Sequence, residues 1–242
     1  MALPNQVLLS DYEDLAAEYY DAVRHPTCAN FREASRILLE VWLQESASSL
    51  CFCDLGSGRS LLAEILAPRL KRLDRLVLVD ESPTMLAYSA QCATNGAHLL
   101  LADVSRGIPL GAQTVDVAVA SLGDPYNLDT FWSEVQRIVR PGGRVLYTTP
   151  SHEWAARFRL SESCELNAAQ FALASGETVC VPSFIYPRDQ QAELMGRHGL
   201  VVEAIIDVST AQLIDSQVSP KLLVLANPRG SVVTGYLVTR RR

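Results

Sequence analysis

Apolar and polar positions along this 242-residue chain alternate between helical and strand-like periods. Residues 11–45 place Leu38, Val41 and Trp42 at helical spacing and are expected to be helical. His25-Pro26 interrupts them, because a residue before proline is pushed out of the α region, so two helical pieces with an irregular joint at 25–30 are expected. Residues 46–49 read as a polar spacer. Runs at 50–55, 75–80, 98–103, 115–121 and 144–149 read as strands apolar on both faces, the signature of a parallel sheet covered on both sides. Helices are predicted between them: one through Leu62, Ile65 and Leu66, one from the cap Ser82 and Pro83 to near Gly96, and one through Leu128, Phe131, Val135 and Ile138. Pro141-Gly142-Gly143 turns the chain into the fifth strand. Residues 151–186 carry Trp154, Phe158, Phe171, Phe184 and Tyr186 without a clean period. A helix at 188–198 and apolar runs at 201–208 and 232–238 complete the pattern. The expected fold is α/β: a doubly wound, mostly parallel sheet with an N-terminal helical lid and an antiparallel C-terminal edge. One domain is expected over 1–242, with a lid at 1–45, a ligand-binding core at 46–150, and a substrate-side insertion plus completion of the sheet at 151–242.

Composition narrows the function classes. Hydrophobic residues make up 48% and charged residues 20%, enough for a packed core. The net charge of -6 provides no global positive field and disfavours nucleic acid as a partner. Eight acids and three arginines fall in the first 50 residues, net -5. If that arm closes over a site, it is expected to repel phosphate-rich ligands and tolerate neutral or cationic ones. Six cysteines lack a C-x-x-C pair and no histidines have metal-ligand spacing, so free thiols, a cytoplasmic setting and no metal are expected. Cys51 and Cys53 read as fillers on one face of the first strand, and Cys164 as a free thiol. The N-terminus lacks a basic segment before an apolar run, and no apolar run approaches about 18 residues, so neither secretion nor membrane spanning is indicated.

In open α/β sheets ligands sit beyond the carboxyl ends of the strands. The first such end is Asp54-Leu55-Gly56-Ser57-Gly58-Arg59-Ser60, where two glycines allow a sharp turn and close ligand approach. The third glycine of a dinucleotide fingerprint is replaced by Leu61, and a carboxylate just before the turn repels a pyrophosphate while suiting a cationic group. Asp80, 24 residues beyond Gly56, is placed to accept hydrogen bonds from ribose hydroxyls. Asp103, after Leu101-Ala102, suits an exocyclic amine such as that of adenine, and Ser121-Leu122-Gly123-Asp124 closes the fourth strand. Asp54 or Asp80 alone could equally cap the following helix. Together these groups fit a ligand with an ammonium, a ribose and an adenine but no phosphate, S-adenosyl-L-methionine.

At these residues the chain resembles the class I (Rossmann-like) SAM-dependent methyltransferase family, whose first motif is acidic-x-G-x-G-x-G, here with Ser60 in the last position. The likeness continues through Val79-Asp80-Glu81-Ser82-Pro83-Thr84-Met85-Leu86, Ala102-Asp103-Val104 and Val139-Arg140-Pro141-Gly142-Gly143-Arg144-Val145-Leu146, over residues 45–150. It implies that Asp54, Gly56, Ser57 and Gly58 hold the methionine end and Asp80 the ribose. Glu81 and Met85 would flank the adenine, Ala102, Asp103 and Val104 would meet its edge, and Ser121 and Leu122 would lie near the sulfonium. In the lid, Tyr20 or Arg32 is expected near the methionine carboxylate, with His25 facing the acceptor. His152, just past the fifth strand, is a second candidate base. Asp124-Pro125-Tyr126 resembles the acidic or Asn-Pro-Pro-aromatic motif of base amino-methyltransferases but lacks one proline; Asp124 and Tyr126 are expected to shape the acceptor pocket or cap the helix near Asp129. His25, His152 and Tyr126 are thus the candidate catalytic residues. The resemblance implies an enzyme, monomer or homodimer, moving the sulfonium methyl to an O, N or C nucleophile of a small molecule and releasing S-adenosyl-L-homocysteine. A nucleic-acid or protein methyltransferase, or a non-catalytic SAM-binding protein or partner subunit, remain alternatives.

Overall fold

A computed structural model describes residues 12–44, 49–162, 167–213, 217–224 and 230–242. The residues before Tyr12, the spacer at 46–48 and Cys164 lie outside the described residues. Nine strands follow one another as β1 (Phe52–Leu55), β2 (Leu76–Asp80), β3 (His98–Leu101), β4 (Val115–Ala120), β5 (Val139–Pro150), β6 (Ala168–Ala172), β7 (Thr178–Pro182), β8 (Leu200–Ser209) and β9 (Ser231–Arg240). Seven form one sheet in the order β3-β2-β1-β4-β5-β9-β8, while β6 and β7 make a separate hairpin. Strands β1 to β5 pair in parallel, and β9 inserts antiparallel between β5 and β8. Strand order reverses between β1 and β4, so a crevice opens at their carboxyl ends.

The helices are α1 (Tyr12–Ala16), α2 (Pro26–Trp42), α3 (Leu61–Leu66), α4 (Pro83–Ala87), α5 (Ala90–Thr94), α6 (Asp129–Ile138), α7 (His152–Glu162) and α8 (Arg188–Arg197). Strand residues alternate between two cores. Cys53, Val79 and Val145 face Phe131, Trp132 and Val135 of α6, while Phe52, Leu78 and Leu146 face Leu39 of α2 and Leu62 of α3. Trp132 is fully buried with its indole N–H donated to Asn127 Oδ1 at 2.8 Å, so its apolar bulk is packed without an orphaned donor. Among the described residues no helix is long and apolar enough to cross a membrane.

Four local expectations differ from what is seen. Pro141-Gly142-Gly143 lie within β5, at an irregularity in its pairing with β4 between Val139 and Arg144, rather than in a turn before it. The break in the arm covers the turns before Pro26, not residues 25–30. Pro26 opens α2, where a missing N–H costs nothing, and His25 takes the non-helical φ of -119° before it. The helix from Pro83 stops at Ala87 and restarts at Ala90, because Ser89 bonds the glycine turn instead: its hydroxyl donates to Gly58 O at 2.6 Å and accepts from Ser60 N–H at 3.0 Å. The segment without a clean period forms α7 and the β6–β7 hairpin, whose apolar residues serve the arm and a cavity as well as the sheet core.

Candidate functional site

The glycine turn after β1 is fixed by backbone groups. Gly56 and Gly58 have φ of +66° and +43°, and Ser57 N–H donates to Val79 O at 2.8 Å. Gly58 N–H donates to Asp80 Oδ2 at 2.7 Å and Ser82 N–H to Oδ1 at 3.0 Å. These amides, together with the Glu81 backbone, orient the Asp80 carboxylate. Burial raises the pKa of Asp80, opposed by these backbone donors. Asp54 sits behind the turn at 2% exposure and accepts the Ser60 hydroxyl, whose oxygen also caps α3 by accepting Ala63 N–H at 2.9 Å. Burial pushes Asp54 up to about 7, against the lowering effect of Ser60.

In front of the turn lies a cavity of about 450 Å³, within the range of small-molecule sites. The structure brings together in its wall Gly56, Ser57, Gly58, Asp80, Glu81, Met85, Asp103, Val104, Ser121 and Leu122, closed by Tyr20, Arg32 and Tyr126. Asp54 and Ala102 are outside this wall; Ala102 N–H instead bonds Asp80 O at 2.9 Å. Ser57 Oγ is buried in the wall without a hydrogen-bond partner. Asp103 accepts from Ser105 N–H at 2.8 Å and pairs with Arg106 at 3.0 Å. The phenol of Tyr126 donates to Leu55 O at 2.6 Å, and that of Tyr20 accepts Arg59 N–H at 2.7 Å. A Cβ on Gly56 would come within 1.9 Å of the Tyr126 oxygen, and one on Gly58 within 2.2 Å of the Tyr20 oxygen. The glycines therefore admit two phenols as well as the turn. Arg32 lies 5.8 Å from the Tyr20 ring centroid and donates to Arg59 O and Glu64.

A second cavity of about 390 Å³ shares Tyr12, Tyr19 and Leu122 with the first. Leu122 has φ +56°, rare for a branched side chain, and its N–H is pinned to Thr148 Oγ1 at 2.9 Å. His25 lines this cavity at 8% exposure, edge-on to Phe171. Its Nε2 makes no hydrogen bond and lies 3.5 Å from a Glu18 oxygen. Asp124 is buried in the same wall and accepts the Ser183 hydroxyl at 2.6 Å, while Arg159 donates to both Ser183 oxygens at 2.9 Å. Burial pushes Asp124 up to about 6, against the lowering influence of Ser183 and Arg159. Arg159 and Ser183 were not legible as site residues, because nothing local in the aperiodic segment marks them. His152 is exposed at the start of α7 and lines neither cavity.

None of the arm's described acids lines either cavity. Glu13 accepts from the Ser82 and Thr84 hydroxyls and from Thr84 N–H, and Glu18 accepts Arg24 Nε at 2.8 Å and Ala174 N–H at 3.0 Å. These carboxylates are clasps holding the arm to α4 and to the turn between β6 and β7. The second cavity's charged walls are Arg24, Arg159 and Lys221 against Asp124.

Comparison with known proteins bears on residues 53–147, which match a family model described as a methyltransferase domain. Malonyl-[acyl-carrier protein] O-methyltransferase of Marinomonas sp. (strain MWYL1) is 29% identical over 144 residues. That match covers 57% of this chain and about half of the relative's length. Geranyl diphosphate C-methyltransferase of Streptomyces coelicolor A3(2), solved with Mg2+, geranyl-S-thiolodiphosphate and S-adenosyl-L-homocysteine, superposes with a TM-score of 0.62 at 16% identity. The superposition covers 86% of this chain and 76% of that one. 1,6-Didemethyltoxoflavin-N1-methyltransferase of Burkholderia thailandensis, solved with its acceptor and S-adenosylhomocysteine, gives 0.55 at 15% identity, covering 100% and 94%.

Proposed function

We propose, for a chain with a methyltransferase domain across residues 53–147 on the class I methyltransferase fold, transfer of a methyl group from S-adenosyl-L-methionine to a small-molecule acceptor. The observation that carries this reading is the pair of cavities with one shared wall of Tyr12, Tyr19 and Leu122, an arrangement that supports a cofactor and an acceptor bound side by side. Relatives named for geranyl diphosphate, didemethyltoxoflavin and malonyl-[acyl-carrier protein] support it. The first cavity fits the cofactor: among the described residues it offers a buried hydroxyl on Ser57 without a hydrogen-bond partner and a carboxylate on Asp80 held in place by backbone amides.

When bound, the cofactor supplies a methyl group activated by its sulfonium and leaves as S-adenosyl-L-homocysteine. Asp80, oriented by the backbone of Gly58, Ser82 and Glu81, would accept from the ribose hydroxyls. Glu81 and Met85 would flank the adenine and Asp103 and Val104 would meet its edge, while Ala102, outside the wall, donates its N–H to Asp80 O. Ser57 Oγ, Gly56 and Gly58 meet the methionine end, closed by Tyr20 and Arg32. Asp54 supports the turn from behind through Ser60. Ser121 and Leu122 line the passage to the acceptor, and Tyr126 holds the turn by its bond to Leu55 O. Displacement at a methyl carbon needs chiefly alignment of the acceptor. Where the acceptor keeps a proton at working pH, His25 Nε2 is the group free to take it, ahead of the exposed His152. The free thiols at the five described cysteines support a cytoplasmic setting, and one chain, alone or as a homodimer, suffices for both cavities.

Calorimetric titration of the full chain with S-adenosyl-L-methionine and S-adenosyl-L-homocysteine tests this. Both are expected to bind. Asp80→Ala is expected to lose about tenfold to a hundredfold in affinity, as befits bonds to a charged acceptor, with unchanged circular dichroism. A folded protein that binds neither ligand refutes the proposal.

A further inference from the structure

The second cavity carries a charge pattern opposite to that of the whole chain, which is net -6. Of its charged wall residues, Arg24 is neutralised by Glu18 at 2.8 Å, and Arg159 and Asp124 meet through Ser183. Lys221 is left over: among the described residues no carboxylate lies within ion-pairing distance of it. Its ammonium stands 5.5 Å from the centroid of the Phe158 ring, which stacks on Trp154 at 5.0 Å with an 11° angle between planes. Lys221 is exposed and lines the second cavity but not the first, so it marks the mouth, away from the wall shared with the cofactor cavity. A cation beside a low-dielectric aromatic wall keeps its field focused on the opening.

We propose that the acceptor is a flat, largely apolar molecule bearing one anionic group, whose body lies along Trp154 and Phe158 and whose anion pairs with Lys221. This rests on the second cavity being the acceptor site. It makes Lys221 a residue that determines specificity, and it holds the anionic group at the end of the acceptor remote from the methyl donor. The orphaned Nε2 of His25, inside the same cavity, remains for a second polar group nearer the lid.

The test uses the full chain and three probes of one shape: cinnamate, cinnamyl alcohol and cinnamylamine, each titrated calorimetrically in the presence of S-adenosyl-L-homocysteine. Cinnamate is expected to bind about fivefold or more tightly than the alcohol, the scale of one partly exposed ion pair, and the amine weakest. Lys221→Gln is expected to bring cinnamate down to the affinity of the alcohol, and Lys221→Arg to preserve the preference. Equal affinities for acid and alcohol, preference for the amine, an unchanged preference in Lys221→Gln, or no binding of any probe overturns the proposal. S-adenosyl-L-homocysteine binding, measured in the same samples, separates the two readings. Its absence refutes the methyltransferase assignment, whereas cinnamate selectivity decides the charge of the cavity's ligand.

Discussion

At the scale of single residues, Asp54 shows how burial changes what a motif residue does. The sequence marks it as an acid before a glycine turn, and the structure puts it behind that turn, bonded to Ser60 and out of the cavity wall. Its pKa is pushed up to about 7 by burial, while an unfolded aspartate titrates near ~3.9. The folded chain therefore holds this proton more tightly than the unfolded chain. Stability from this group is greatest below about pH 4 and declines as pH rises towards 7. Asp124, pushed up to about 6, contributes in the same direction over a narrower range. In Asp54→Asn, which keeps an oxygen for Ser60, the difference in urea-unfolding stability between pH 5 and pH 8 is expected to shrink. A difference as large as in the parent chain would mean that Asp54 is already ionised at pH 5. Gly56 and Gly58 were legible because a left-handed backbone favours one residue type. Tyr126 and Tyr20, which need the same absence of Cβ, lie 70 and 38 positions away from these glycines and leave no local trace.

At the scale of elements, the arm is held less by its own helix than by its partners. With five residues, α1 is too short to be stable alone, but Leu15 and Ala16 are fully buried. Glu13 binds the start of α4 and Glu18 binds Ala174 next to the β6–β7 hairpin. Both carboxylates have lowered pKa values, Glu13 mainly through Ser82 and Thr84, Glu18 mainly through Ala174 N–H. For a depressed carboxylate the stabilisation is complete above the unfolded value near ~4.3 and is lost as pH falls through the lower folded value. The double variant Glu13→Gln, Glu18→Gln is expected to speed amide exchange across residues 12–24 at pH 7 and leave β1 and β4 unchanged. The parent chain should approach the same behaviour below about pH 4. Equal exchange in both proteins at pH 7 would show that apolar packing alone docks the arm. The strands of the main sheet were read because runs apolar on both faces are a local pattern, although β5 begins at Val139, ahead of the strand expected from Arg144. The joint at Pro26 was misplaced, because proline both interrupts a helix and starts one, and only packing selects between these.

At the scale of the whole molecule, two cavities meet across one wall, and filling the first should stabilise the chain as a unit. Ligand at a hundred times its dissociation constant contributes about 2.7 kcal/mol, and a chain of this size shifts by about 2–4 °C per kcal/mol. S-adenosyl-L-homocysteine at that concentration is therefore expected to raise Tm by roughly 5–10 °C, and Asp80→Ala to lose most of that shift, as read by a thermal melt. The sequence by itself determined the order of the main-sheet strands, the cap at Ser82 and the glycine turn with its acids, since each depends on neighbours within a few positions. Only the tertiary structure decided the second cavity. It joins His25, Asp124, Arg159, Ser183 and Lys221 from five separate stretches of chain. It also decided that Glu13 and Glu18 are spent on clasps while Lys221, among the described residues, has no carboxylate partner. Charge pairing and desolvation depend on distance in space, so a net charge counted along the chain does not tell which charged groups line a site.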